Sequence, residues 1–471
     1  MPSADLVVCV DFGSTFTKAL LVDATDGRIV ATAEHPTTIE ADVLDGYDAC
    51  LARLVEQQPD AATAEVLACS SAGGGLRIAV VGKEELVTAE AGRRVALSSG
   101  GKVVLVLSDG LTPDKYGELR AAEPDVVLLV GGTDGGNSAT LEADADFLAR
   151  QAWPGPVVVA GNVESQPAVA ARFEESGGTP YLLADNIVPR IGVLAPDGAR
   201  TAIRELFLSH VIGGKHLSGR ADFLGMVRGA TPDVVLSGVE LLAEIAGDSS
   251  APLGTGIVVV DVGGATTDVH SVVELDPALR DGSSLAPSGT GPPLDQEVVA
   301  TTRVTRTVEG DLGMRWSAVT TAEAAGRDDL LGAARRRNAD PAFLPETADE
   351  ERLDLELARE ATGLALRRHA GRSKVVVSPE GRIVERTGKD LREVGLLVGS
   401  GGALRHGPPD AATRVLGPST GADPEGGWQL PRAPRVVVDH AYVLAAAGLL
   451  AEAHPAAAYG LLRALAAGDA G

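Results

Sequence analysis

The chain has 471 residues, and with 65 acidic against 41 basic side chains its net charge of −24 speaks against a protein that grips the phosphate backbone of nucleic acid. At this length, with 45% hydrophobic residues, it can bury real cores and suggests about three structural units. Only 3% of residues are aromatic and 57 are glycine, which points to small-residue packing rather than an aromatic ligand cage.

The first apolar, β-branched run is Leu6 to Val10, a strand ending in Asp11-Phe12-Gly13-Ser14-Thr15 before a second strand, Phe16 to Asp23. Asp26-Gly27 predicts a type I′ hairpin into a third strand, Arg28 to Ala33, giving an antiparallel meander. Helical spacing follows from Tyr47 to Gln57, with Leu51, Leu54 and Val55 on one face. The runs Val66 to Cys69, Val103 to Leu107, Val126 to Val130 and Val157 to Ala160 each end in Gly or small polar residues. They read as buried parallel strands whose carboxyl ends face a crevice, the mark of an α/β architecture.

From Ala199 to Ala246 the pattern is helical. Pro252-Leu253-Gly254 then breaks the chain before a strand at Gly256 to Val260, so the lobes are expected over 1–254 and 255–471. Asp281 to Pro293 and His406 to Trp428 read as polar loops, and Asp349 to His369 as a solvated helix with charges at helical spacing. No repeat of solenoid length is present.

Three segments carry chemistry. In the first, backbone N–H groups near Gly13 to Thr15 can form an anion cradle, the hydroxyls of Ser14 and Thr15 add donors, Asp11 can hold a metal ion through water, and Lys18 can reach a phosphate. An ordinary hairpin also accommodates these residues. The second, Gly256 to Val269, repeats the design 250 residues later with Asp261, Gly263, Gly264, Thr266, Thr267 and Asp268. The third, Val394 to Ala403, is an apolar strand running into Gly399-Ser400-Gly401-Gly402, where missing Cβ atoms let a flat base and ribose lie against the backbone.

Their order and spacing resemble the actin, hexokinase and Hsp70 ATPase superfamily, with two phosphate loops and then an adenosine motif. Val436 to Leu449 resembles its closing hinge helix. The resemblance implies two actin-like, ribonuclease H-like lobes around an interlobe nucleotide cleft, with an inserted α/β subdomain. Within the superfamily the chain resembles the MutL/GlmL group, accessory ATPases of adenosylcobalamin-dependent mutases such as glutamate mutase. That resemblance is carried by Cys69 to Leu76, Leu128 to Asn137 and Thr307 to Arg315. It implies ATP and Mg²⁺ as ligands, a mutase as protein partner and a reactivase-like exchange of inactivated cobalamin. Asp11 and Asp261 would organise the metal and the attacking water, Thr266 and Thr267 would bind phosphate oxygens, and Lys18 would balance their charge. Glu309 would approach the ribose or the water, or else cap a helix or form an ion pair.

The alternative is a small-molecule kinase of the sugar or acetate type, in which Asp268 could serve as base. A bacterial-actin-like scaffold ranks below it. Radical-enzyme activators of the superfamily hold an iron–sulfur cluster on paired cysteines, whereas Cys9, Cys50 and Cys69 form no CxxC pair and no disulfide framework; a reducing cytoplasm suits them. The first 30 residues lack the pattern of a signal peptide, and no apolar run reaches the ~18 residues of a membrane span. Asp134, Asn137, Asn162 and Asn186 read as turn chemistry or as the lining of a second pocket. His210, His216, His270 and His440 lack ligand spacing.

Overall fold

The computed structural model describes residues 5–72, 76–212, 217–220, 222–248, 256–274, 303–378, 381–387, 389–423 and 426–467. The described chain forms two compact units. One is built from the segments within 1–73, 217–274 and 303–471, the other from the described part of 74–216.

The first unit begins with β1 (Leu6–Phe12), β2 (Phe16–Asp23) and β3 (Ile29–Pro36), an antiparallel meander as expected. The turn between β2 and β3 differs from a type I′ hairpin, which needs positive φ at both central residues. Of the pair only Gly27 has it (φ +78°), and its amide closes on Asp23 O at 2.9 Å across a longer loop. Helix α1 (Val43–Gln57) starts four residues before its expected position because Asp42 caps it, accepting from Leu44 N at 2.9 Å. Strand β4 (Glu65–Ser70) then pairs parallel with β1, setting Cys69 opposite Asp11.

The second unit is a parallel sheet with helices between its strands: β5 (Leu76–Val81), α2 (Glu90–Ser98), β6 (Gly101–Leu107), α3 (Pro113–Ala121), β7 (Val126–Leu129), α4 (Ala139–Arg150), β8 (Val157–Val159), α5 (Gln166–Ser176), β9 (Tyr181–Leu183) and α6 (Asp197–Leu206). Its strand order is β6-β5-β7-β8-β9, with every pairing parallel. The order reverses between β5 and β7, the doubly wound pattern in which ligand crevices form beyond the carboxyl ends of the strands. Its core joins Ala79, Val127, Leu129 and Val159 to Leu141, Leu148 and Phe173 on the helices.

The chain then returns to the first unit through α7 (Asp222–Met226), β10 (Val227–Ala230) and α8 (Thr231–Asp248). The helical reading of 199–246 thus missed β10, a four-residue strand containing Gly229 that leaves no periodic signal. A second sheet follows: β11 (Gly256–Val262), β12 (Thr267–Val273), β13 (Val304–Glu309), β16 (Leu396–Ser400) and β17 (Arg435–Val438), with the separate hairpin β14 (Arg372–Ser378) and β15 (Gly381–Thr387) in between. Helices α9 (Ala318–Ala324), α10 (Leu331–Ala339) and α11 (Ala348–His369) precede that hairpin. Helices α12 (Gly402–Arg405) and α13 (Ala411–Val415) lie between β16 and β17, and α14 (Val443–Leu450) and α15 (Pro455–Ala467) close the chain. Helix α11 carries a capping box, Thr347 Oγ1 accepting from Glu350 N at 3.3 Å and donating to Glu350 Oε2 at 3.2 Å. The segment 406–428 holds α13 and is not simply a loop, while Pro252 to Gly254 and Asp281 to Pro293 lie outside the described residues.

The two sheets of this unit repeat one topology. Their orders are β10-β4-β1-β2-β3 and β17-β16-β11-β12-β13, each a three-stranded meander extended by two parallel strands beside its first strand. Each fifth strand leads into a helix, β10 into α8 and β17 into α14, and the two helices cross. A Cβ on Gly238 would collide with Leu444 O, and one on Gly448 with Val234 O, so each glycine meets the carbonyl four residues before the other. Val7, Cys9, Val259 and Val398 of the sheets share one core with these helices and α15. The fold is the duplicated α/β lobe of the actin-like class. No helix among the described residues is long and apolar enough to cross a membrane.

Candidate functional site

Duplication places two turns at matching points. Between β1 and β2, Gly13 N donates to Phe16 O at 3.2 Å; between β11 and β12, Gly263 N donates to Thr266 O at 2.9 Å. A Cβ on Gly13 would lie 2.6 Å from Phe16 O, and one on Gly263 2.9 Å from Thr266 O, so both turns close only with glycine. The turns also meet, since a Cβ on Gly264 would come within 3.1 Å of Thr15 Cγ2. The expected first and second loops therefore stand face to face.

Register then fixes the charges. Asp11 pairs with Lys18 across β1 and β2, and Asp261 with Asp268 across β11 and β12. Asp11 is 4% exposed; its Oδ1 accepts from Thr231 Oγ1 at 2.6 Å and its Oδ2 lies 3.4 Å from Lys18 Nζ. Asp261 is half-buried and sits beside Ser400 in the parallel register of β11 and β16. Burial pushes its pKa up to about 6; the Asp268 and Asp11 carboxylates add to the rise, while Lys18 and a hydrogen bond from Ser400 oppose it. Asp11 and Asp261 feel one another's charge, and one or two carboxylates supplemented by phosphate oxygens are the usual holders of Mg²⁺; no cluster of three or more metal-ligating side chains occurs among the described residues. The residues thus fit the metal that the sequence implies.

Of the remaining expected residues, Ser14 and Thr15 are half-buried at the first turn. Thr266 Oγ1 donates to Asp268 Oδ2 at 3.3 Å. Thr267 is fully buried, and its hydroxyl has no partner among the described residues. Asp268 is held by the buried Arg306, whose Nη2 donates to Oδ1 at 2.9 Å. Glu309 stands opposite Thr267 on β13 and pairs with Arg368 Nη1 at 2.7 Å, the ion-pair arrangement; burial raises its pKa and Arg368 opposes.

The three glycines of the third motif differ in role. A side chain at Gly399 would strike Leu404 and Leu416, so that glycine serves packing. Gly401 has φ +105° and a side chain there would strike Val262 O, so it serves the turn itself. Only Gly402 faces open space, with nothing within 4 Å. Beside Lys18 a cavity of about 240 Å³ is lined by Thr32, Glu34, Arg405 and His440, and Glu34 is paired with Arg405 at 2.6 Å.

Val436 to Leu449 is not one helix. Its first three residues belong to β17, and α14 begins only at Val443, after a turn capped by Asp439, which accepts from Val443 N at 2.8 Å and Leu444 N at 3.1 Å. Tyr442, in that turn, places its ring over Lys18. Sequence reasoning passed over Tyr442, Thr231, Arg306 and Arg368; the one available signal was an aromatic among the small residues of 436–450.

In the second unit, Asn162 and Asn186 are almost fully buried and spend their amides on the glycine-rich turn: Asn162 on Gly136 O at 3.1 Å, Asn186 on Gly132 O at 3.0 Å and Asp134 Oδ1 at 2.8 Å. Asn137 accepts from Ala139 N at 2.9 Å. All four residues act in turn chemistry. His270 is buried and its imidazole is driven toward the neutral form by burial, with Arg306 adding. His216 and the side chain of His210 lie outside the described residues.

A family model described as "MutL protein" matches residues 7–465. "Protein MutL" of Clostridium tetanomorphum is 35% identical over 464 residues, spanning 96% of this chain and 97% of that protein. Among solved structures, a putative N-acetylmannosamine kinase from Listeria monocytogenes is 12% identical, with 97% and 99% of the two chains covered and a TM-score of 0.28. A chain of the PilM–PilN type IV pilus biogenesis complex is 11% identical, with 97% of each covered and a TM-score of 0.26. Nucleotide-free acetone carboxylase is 16% identical, with 66% and 48% covered and a TM-score of 0.32.

Proposed function

The chain belongs to the MutL family, and from that premise we propose that it binds and hydrolyses Mg-ATP as an accessory, reactivase-like protein of an adenosylcobalamin-dependent mutase. The observation that carries the ATPase part is the pair of glycine turns meeting at Thr15 and Gly264, each following a carboxylate, Asp11 on one side and Asp261 on the other. Backbone amides of such turns receive phosphate oxygens, and Lys18 supplies a counter-charge. Magnesium, when bound, would neutralise charge on the phosphates, with Asp11 and Asp261 as its protein holders. Asp261, poised near neutrality, orients the attacking water and takes hydrogen bonds from it. The cavity beside Lys18 and Arg405 lies next to the two turns and does not include them; on this reading the two sheets close over nucleotide bound at the turns. That movement is what a docked mutase would feel, so that damaged cobalamin leaves and intact coenzyme enters.

The sugar or acetate kinase alternative needs a free carboxylate base. Asp268 is committed to the buried Arg306, which favours the accessory reading. In the test, the protein with Mg-ATP and fresh adenosylcobalamin is added to an inactivated mutase. Turnover should return with wild-type protein and not with Asp11→Ala. ATP consumption that rises with a small phosphoryl acceptor and ignores the mutase would overturn the proposal.

A further inference from the structure

Tyr442 belongs to no part of the machinery assigned above, yet it lies among the groups that form it. It is 5% exposed, and Lys18 Nζ lies 3.8 Å from the centroid of its ring. The same ammonium is 3.4 Å from Asp11 Oδ2. Lys18 therefore has two holders, a carboxylate on the first sheet and an aromatic face on the turn that follows the second. A cation over a ring face is attracted by the ring's quadrupole, most strongly where water is excluded. The guanidinium of Arg405 lies 5.4 Å from the ring as well, so the face is set among cations.

The backbone shows how firmly the ring is placed. Tyr442 has φ +59°, a left-handed conformation that a bulky residue adopts only when its surroundings impose it. Here Asp439 imposes it: its backbone oxygen accepts from Tyr442 N at 3.3 Å, and its carboxylate accepts from the next two amides. A turn that only started a helix would carry glycine or asparagine at such a position.

We propose that Tyr442 is a positioning residue for Lys18, its ring holding the ammonium at the mouth of the first turn where the phosphate groups of a bound nucleotide would meet it. The proposal rests on the nucleotide reading and adds to it the residue that sets the place of its cation. Without the ring, the ammonium keeps its contact with Asp11 and loses the face that fixes its direction, so its place at the turn is no longer set.

The test is a double-mutant cycle of Tyr442→Leu and Lys18→Met, with Tyr442→Phe beside it, read by Mg-ATP calorimetry and steady-state phosphate release. Tyr442→Leu should raise the dissociation constant and KM about tenfold and lower kcat less, as loss of a desolvated cation–ring contact predicts. Tyr442→Phe keeps the face and loses only the hydroxyl's contact with Asp11, so it should stay far closer to wild type than Tyr442→Leu. In the Lys18→Met background Tyr442→Leu should cost nothing further. Equal losses in both backgrounds, or a Phe variant as weak as the Leu variant, would overturn the assignment. Should Tyr442→Leu melt early, Tyr442→Met replaces it in the same cycle. Wild-type protein that fails to bind Mg-ATP would instead sink the nucleotide reading, and this proposal with it.

Discussion

Replacing Asp261 by Asn separates two consequences of its carboxylate. Burial, reinforced by the neighbouring Asp268 and Asp11 carboxylates, holds its pKa at about 6 in the folded chain against an ordinary 3.8. A folded-state pKa above the unfolded one means that the folded chain binds the proton more tightly. Its stabilising effect is therefore fully present below about pH 4 and is lost as pH rises through 6. At ~1.4 kcal/mol per tenfold, the gap sets an upper bound of about 3 kcal/mol of destabilisation at pH 8. Asparagine keeps the shape and removes the charge. Asp261→Asn should thus be more stable than wild type at pH 8, by about 1–3 kcal/mol, and equal to it near pH 4. The same protein should bind nucleotide but hydrolyse little. Urea melts followed by circular dichroism without nucleotide or metal, at steps from pH 4 to 8, give the first quantity, and phosphate release gives the second. A variant less stable than wild type at pH 8, or a stability gap that does not change with pH, would refute the reasoning.

Gly402→Val should fold and weaken ATP binding about tenfold by filling the open space at the third motif, whereas Gly401→Val, obstructed by Val262 O, should fail to fold; melting curves and calorimetry distinguish them. Arg306→Met strands the Asp268 carboxylate and should cost about 3–5 kcal/mol in urea unfolding, largely recovered by adding Asp268→Asn; a loss under about 1 kcal/mol would mean the ion pair is not maintained in solution. Gly238→Ala and Gly448→Ala should each cost about 1–3 kcal/mol by forcing α8 and α14 apart, and unchanged melting would contradict the crossing described.

The first meander was legible because β1 and β2 are β-branched runs interrupted by a polar turn, and the parallel strands β4, β6, β7 and β8 because each apolar run ends in Gly or a small polar residue. The two Asp–Gly turns were legible as chemistry because the same design recurs 250 residues apart and a third glycine-rich turn follows in order, although each alone suits an ordinary hairpin. Their partners were not. Arg306 lies 38 residues from Asp268, and Thr231 lies 220 from Asp11, so only the pairing of β12 with β13 and the entry of α8 bring them in. Thr231 and Arg306 had no local reason to attract notice. Tyr442 was hidden for another reason: a run of small apolar residues reads as continuous helix, and nothing in its periodicity shows that Asp439 ends a strand and caps a separate helix. Gly401 and Gly402 are adjacent and identical in sequence; only the position of the Val262 carbonyl tells one from the other.

The crossing of α8 and α14 sets how the two sheets can move. Where helices interlock through long side chains, turning one against the other drives each side chain over its neighbours, and the motion proceeds in steps with a barrier at each. At Gly238 and Gly448 backbone meets backbone, and the nearest side-chain atom to either position is Val234 Cγ1, 3.0 Å from where a Cβ on Gly448 would lie. The crossing point itself offers few teeth, so of the whole helix pair it is where a turn of one helix against the other meets least resistance, while Val235, Val239 and Leu449 interlock around it. The work of closing must then come from what is gripped at the far end of the lever, the turns carrying Asp11 and Asp261. On the proposed reading, a partner that held those ends apart would need to oppose only the grip of the turns on the nucleotide.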